Sequence, residues 1–228
     1  MELCAVLILI TAPTFAYLGC SLFWGDEYQT IRDRRSLESR TETAVEVDLF
    51  ESMIVRLRLV PIILFVIWRS GEAWSRFGLV KPAIPKDVVI GLGVWLIVAF
   101  FTSLIALAFG RHNPWLSFQP FAVPPVRAML LVGESCAVGF SEELALRAYL
   151  IPRLEAMTGS TRKSILLSSL IFGFAHLNKS YVGVIFSIVT AIVFGIAFSL
   201  TRRIWPVAIA HAFGDFIVGT HLRAAIRL

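Results

Sequence analysis

Glu142 and Glu143 stand side by side directly after the apolar stretch Ala128 to Phe140, and Arg147 follows Glu143 by four residues. An ionisable group at membrane depth costs about 2.5 to 3.5 kcal/mol on insertion scales, so two adjacent acids in such a setting need a reason. On an α-helix, positions four apart share a face, which lets Glu143 pair with Arg147. Glu142 is turned by about 100° from its neighbour and is left unpaired by this geometry. Glu143 and Arg147 would then brace the helix, while Glu142 points into a polar cavity where a carboxylate can act as a general base. The same residues also suit a helix that has simply reached the headgroups.

Two further pairs repeat the spacing of four. Phe172 and His176 close one apolar run, and His211 and Asp215 lie inside another. A lone intramembrane histidine more often hydrogen-bonds a neighbouring helix; two of them beside an unpaired glutamate are the ingredients of a hydrolytic or proton-handling site. Glu134, eight residues before Glu142 and about 80° around the helix, suits a structural hydrogen bond or the rim of that cavity.

The elements that must position these groups are set by composition. The chain has 228 residues, of which 57% are hydrophobic and 16% charged, with mean hydropathy +0.77. That is well below the roughly 25% charge of a soluble domain. Runs near the twenty or so residues that cross a hydrocarbon core, without the alternation of barrel strands, predict an all-α, polytopic transmembrane bundle of about seven helices. The runs are Leu3 to Trp24, Met53 to Trp68, Val88 to Phe109, a helix from near Val126 that carries the acids, Ser164 to His176, Val182 to Leu200 and Ile204 to Thr220. A polar segment from Gly25 to Glu51 reads as a solvated loop, partly helical at most. Arg56, Arg58 and Pro61 interrupt the second run and suggest an oblique entry through the interface.

The net charge of +5 arises from basic residues scattered between apolar runs, without the stripe or block that nucleic acid requires. They are shared almost evenly between the two sides of the predicted bundle, so they do not orient it. Cys4, Cys20 and Cys136 have no CxxC or Cys/His spacing and read as small buried thiols. His112 belongs to a loop and His221 to the interface. Trp68, Trp74, Trp115 and Trp205 lie near span ends, as an aromatic belt places them. The expected organisation is N-terminal helices and polar loops over 1–125, a core over 126–221 that carries the chemistry, and a short tail over 222–228.

The order EExxxR, FxxxH, HxxxD on successive helices resembles the CPBP family, the CAAX proteases and bacteriocin-processing enzymes. Here it reads Glu142-Glu143 to Arg147, Phe172 to His176 and His211 to Asp215, and it covers Val126 to about Thr220. The resemblance implies a multi-pass membrane endopeptidase acting on a peptide or protein substrate that enters from the bilayer. Glu142 would activate water, His176 would help position or deprotonate it, and His211 and Asp215 would flank the developing oxyanion. Many members carry Asn at the last position; an ionised Asp215 cannot donate as an amide does, and fits better as an orienter of His211 or a metal ligand.

Glu142, His176 and His211 also offer the one carboxylate and two imidazoles of a catalytic zinc site. The HExxH signature is absent, and the metal-free reading is preferred; with zinc bound, Glu143 could become the base. Two non-proteolytic readings use the same cavity, namely a bacteriocin-immunity or scaffold protein and a proton-coupled transporter with a Glu-His relay.

Overall fold

The computed structural model describes residues 2–4, 6–8, 11–12, 42–110, 124–177 and 181–224. Among them the chain is helical throughout, with no strand. Of the first apolar run only residues 2–4, 6–8 and 11–12 are described, all helical, and Cys20, His112 and Trp115 lie outside the described residues.

Helix α1 spans Glu42–Leu57, so the polar segment is helical from Glu42 onward. Helix α2 spans Leu59–Arg69. The run expected as one span from Met53 to Trp68 is therefore divided at Arg58. Pro61, in the first turn of α2, has no N–H to return to the preceding turn, which favours a fresh helix start there. A 3-10 turn, Trp74–Phe77, leads to Gly78 at φ 69°. At that position a Cβ would lie 2.6 Å from the Phe198 ring, so glycine is required both for the left-handed backbone and for space.

Helix α3, Ile84–Ala108, carries Pro85 in its first turn, where a missing N–H costs nothing. It coincides closely with the uncharged run Val88 to Phe109. Helix α4, Pro125–Glu143, ends where a π-helical segment, Leu144–Leu150, begins. Helix α5, Ile151–Thr158, closes on Gly159 at φ 64°. Helix α6, Thr161–Phe174, starts from Ser160, whose hydroxyl accepts from Lys163 N. Helices α7, Tyr181–Thr201, and α8, Ile204–Ala224, complete the bundle. Two helices, α3 and α7, are long and apolar enough to cross a membrane, and Ile204–Gly219 is a shorter apolar stretch.

Helix α8 packs between α4 and α3, while α6 lies along α7 and α1 along α4. The α4–α8 contact is close because of Gly139: a Cβ there would stand 2.8 Å from Ala212 N and 3.0 Å from Ala208 O. Small side chains that let backbones approach are the usual device of helix pairs in lipid. This approach sets the acids of α4 opposite His211.

Polar clasps fix the end of the bundle where α7 turns into α8. Arg203 grips Asp87 through Nε to Oδ1 at 2.7 Å and Nη2 to Oδ2 at 2.8 Å, and Asp87 Oδ2 also accepts from Ala83 N at 2.7 Å. Trp205 Nε1 donates to Val80 O at 2.6 Å, and its ring stacks on Phe140 with centroids 5.8 Å apart. Trp205 is thus a strap, whereas Trp68 and Trp74 are exposed as belt residues would be. The cysteines correct an expectation, since Cys4 and Cys136 are exposed. In a bundle surrounded by lipid, an outward face welcomes an apolar thiol as readily as a core does.

Arg202 binds both oxygens of Glu155, at 2.9 and 3.0 Å, and so ties α5 to the end of α7. Burial pushes the Glu155 carboxyl up, but the hydrogen bonds from Arg202 and Thr161 outweigh it and hold it below the usual carboxylate range. A carboxyl depressed in the folded state lends stability above its unfolded pKa of about 4.3, and that stability fades as pH falls through the folded value. The thermal midpoint of detergent-solubilised protein should therefore drop as pH is lowered below about 4.3, and drop less in Glu155→Gln. Gly139→Val should lower the same midpoint at neutral pH, by an overpacking cost of about 1 to 3 kcal/mol. Gly93→Val, where nothing lies within 4 Å of a Cβ, should leave it close to wild type.

Candidate active site

Glu143 and Arg147 form the pair expected from their spacing, with Arg147 Nη1 donating to Glu143 Oε1 at 2.9 Å, and both side chains are essentially fully buried. The backbone that carries Arg147 is π-helical, a form that is rare and often found at functional sites. Its widened turn leaves carbonyls to be satisfied from elsewhere, and Ser168 Oγ of α6 donates to Leu146 O at 3.2 Å. Among the described residues, Arg147 Nη2 finds no hydrogen-bond acceptor. The guanidinium instead lies over the rings of Phe172 and Phe194, at 5.2 and 5.3 Å, so π faces stand where acceptors are missing.

The same Glu143 oxygen receives His211. The Nδ1–H of His211 donates to Oε1 at 2.7 Å. Spending Nδ1 in this way leaves Nε2 on the other side of the ring, where it stands 3.9 Å from Glu142 Oε2 and 3.5 Å from Asp215 Oδ2. The contact that orients His211 through Nδ1 therefore comes from Glu143, and Asp215, 35% exposed, stands on the opposite, Nε2 side of the ring. The ring also packs near Phe194, with centroids 5.5 Å apart.

His176 follows the end of α6 rather than lying within it. Its Nδ1–H donates to Phe172 O at 2.8 Å. Its ring rests 4.3 Å from the Phe172 ring, which in turn lies 6.4 Å from the His211 ring. Phe172 thus joins three members of the cluster: its ring tilts against His176, meets His211 edge-on and lies under Arg147.

Glu142 departs from the reading that left it unpaired. Arg56 of α1 reaches across, and its Nη1 donates to Glu142 Oε1 at 2.8 Å. One turn earlier, Ser52 Oγ donates to Glu134 Oε1 at 2.9 Å, so Glu134 has a structural partner. Arg56 and Phe194 are the residues that sequence reasoning missed. A charge inside an apolar run was the available signal for Arg56, since such residues at membrane depth usually serve a site; it was read as oblique entry because nothing in the sequence placed α1 beside α4.

Among the described residues, no three His, Cys, Asp or Glu side chains form a group that could hold a metal ion. Glu142, His176 and His211 are not gathered into such a group; the Nδ1 bonds of the two histidines leave each Nε2 available, the arrangement in which an outer partner orients an imidazole.

Residues 124–217 match the family model described as Rce1-like, type II CAAX prenyl endopeptidase Rce1-like. The match covers somewhat less than half of the chain and includes every site residue named from the sequence. It supports a CPBP-family intramembrane protease, as the order of the three motifs implied. No curated protein and no solved structure matches the chain.

Removing one partner of a buried ion pair strands the other, at a cost of about 3 to 5 kcal/mol. Arg147→Met alone should therefore lower the thermal midpoint sharply, while Glu143→Leu combined with Arg147→Met should recover part of the loss. Differential scanning fluorimetry in detergent reads both.

Proposed function

We propose that this chain is a multi-pass membrane endopeptidase in which Glu142 activates the attacking water and His211 serves as its partner across the cleft. The observation that carries the reading is the pairing of Glu142 Oε2 with His211 Nε2 at 3.9 Å, with only 14% and 11% of those side chains exposed. A single water can bridge groups at that separation, and a carboxylate and an imidazole are the pair that general acid–base hydrolysis needs.

In this reading Glu142 takes a proton from water as the water oxygen bonds to the scissile carbonyl carbon, and the carbonyl π electrons move to oxygen. The tetrahedral adduct collapses when the C–N electrons return to nitrogen, which receives the proton that Glu142 removed. His211, held by Glu143, faces the adduct through Nε2. His176 and Asp215 line the approach. Glu143 and Arg147 hold the imidazole at a fixed angle and do not exchange protons with the substrate.

The substrate class follows the Rce1-like match: a peptide bond in a membrane-associated, CAAX-type chain, presented from the bilayer. The helices α3 and α7, long and apolar enough to span, support action within the membrane.

The test uses purified protein in detergent or proteoliposomes and a quenched fluorescent peptide ending in a prenylated CAAX sequence. Glu142→Gln should lower kcat by about 10² to 10⁴-fold, the range of a general base, with the thermal midpoint preserved. Metal chelators should leave the wild-type rate unchanged. Undiminished cleavage by Glu142→Gln would end the proposal, and a scaffold or immunity role would show itself as biological activity that survives this substitution.

A further inference from the structure

The charges around the cleft do not balance within the matched domain. Glu142, Glu143 and Asp215 bring three carboxylates within reach of His211, and Arg147 is paired with Glu143. Hydrolysis then adds a further negative charge on the carbonyl oxygen. Carboxylates cannot donate to it, and His211, with Nδ1 committed to Glu143, has Nε2 alone left to face it. Arg56, which comes from α1, outside residues 124–217, adds a permanent cation beside Glu142.

Arg56 is placed and free to act. One arm, Nη1, is fixed on Glu142 Oε1 at 2.8 Å. Its remaining N–H groups make no hydrogen bond to a described residue, and the side chain is 44% exposed. The planar fork of a guanidinium can hold one oxygen while presenting N–H groups to another beside it. The helix that carries it is not adrift, because α1 packs along α4 and Ser52 ties it to Glu134 one turn away.

We propose that Arg56 is a further catalytic residue, its unengaged guanidinium N–H groups donating to the oxyanion that forms when water adds to the scissile carbonyl. This rests on the hydrolytic reading of the same cleft. Water supplies the oxygen and the proton, and Arg56 stays protonated throughout, contributing charge and hydrogen bonds without proton transfer. A donor that acts only on the developing charge changes turnover and not affinity.

The experiment compares wild type, Arg56→Ala, Arg56→Lys, Asp215→Asn and the Arg56→Ala/Asp215→Asn double variant on the prenylated CAAX peptide, alongside Glu142→Gln. Arg56→Ala should lose about 10² to 10³-fold in kcat, as loss of an oxyanion donor does, with KM within about twofold. Arg56→Lys should keep part of the rate, and millimolar guanidinium should restore turnover to Arg56→Ala but not to Glu142→Gln. The amide of Asp215→Asn should soften the loss when combined with Arg56→Ala. An Arg56→Ala enzyme with wild-type kcat, a defect confined to KM, or a loss that neither Lys nor guanidinium repairs overturns the proposal. If Glu142→Gln is inactive while Arg56→Ala turns over normally, only the role of Arg56 falls; if Glu142→Gln stays active, the hydrolytic reading falls with it.

Discussion

Taking Glu143 and Arg147 out of water together imposes a desolvation cost of several kcal/mol per ion, which attraction repays only when the geometry is good and the leftover donors and acceptors are met. Much of this molecule can be understood as the arrangement that meets part of that demand, with Glu143 Oε2 and Arg147 Nη2 left without a hydrogen-bond partner among the described residues. Arg147 Nη1 and His211 Nδ1 converge on one Glu143 oxygen. The rings of Phe172 and Phe194 cover the guanidinium from α6 and α7. Helices α4, α6, α7 and α8 thereby meet around one buried ion pair, and the His211 imidazole takes its orientation from it.

The division between the two adjacent glutamates follows from this. Glu143 is fully enclosed, and the turn of the helix presents Glu142 on a different side, to α1 and Arg56. The π-helical segment directly after the pair is part of the same device. It carries the arginine in a stretch whose residues are all buried, with a serine of α6 satisfying one of its displaced carbonyls.

The close α4–α8 packing at Gly139 and the clasps around Arg202 and Arg203 work at a distance from the chemistry. They set the depth and rotation of α8, on which His211 rides. An error of a residue in either would move Nε2 off Glu142, since a helix turns by about 100° per residue.

Helical class, the two longest spans and the Glu143–Arg147 pair were legible in the sequence because they depend on local quantities: run length, hydropathy and a spacing of four along one helix. The three motifs in order were likewise readable without coordinates, since each lies within one element. Tertiary structure decided everything that crosses between elements. It divided the Met53 to Trp68 run at Arg58, gave the orienting contact on His211 Nδ1 to Glu143 and left Asp215 beside Nε2. It also brought Arg56 to Glu142 across 86 residues of chain. No periodicity encodes such a meeting; it exists only once α1 is laid against α4, and helix packing is a property of two surfaces that a single stretch of sequence does not contain.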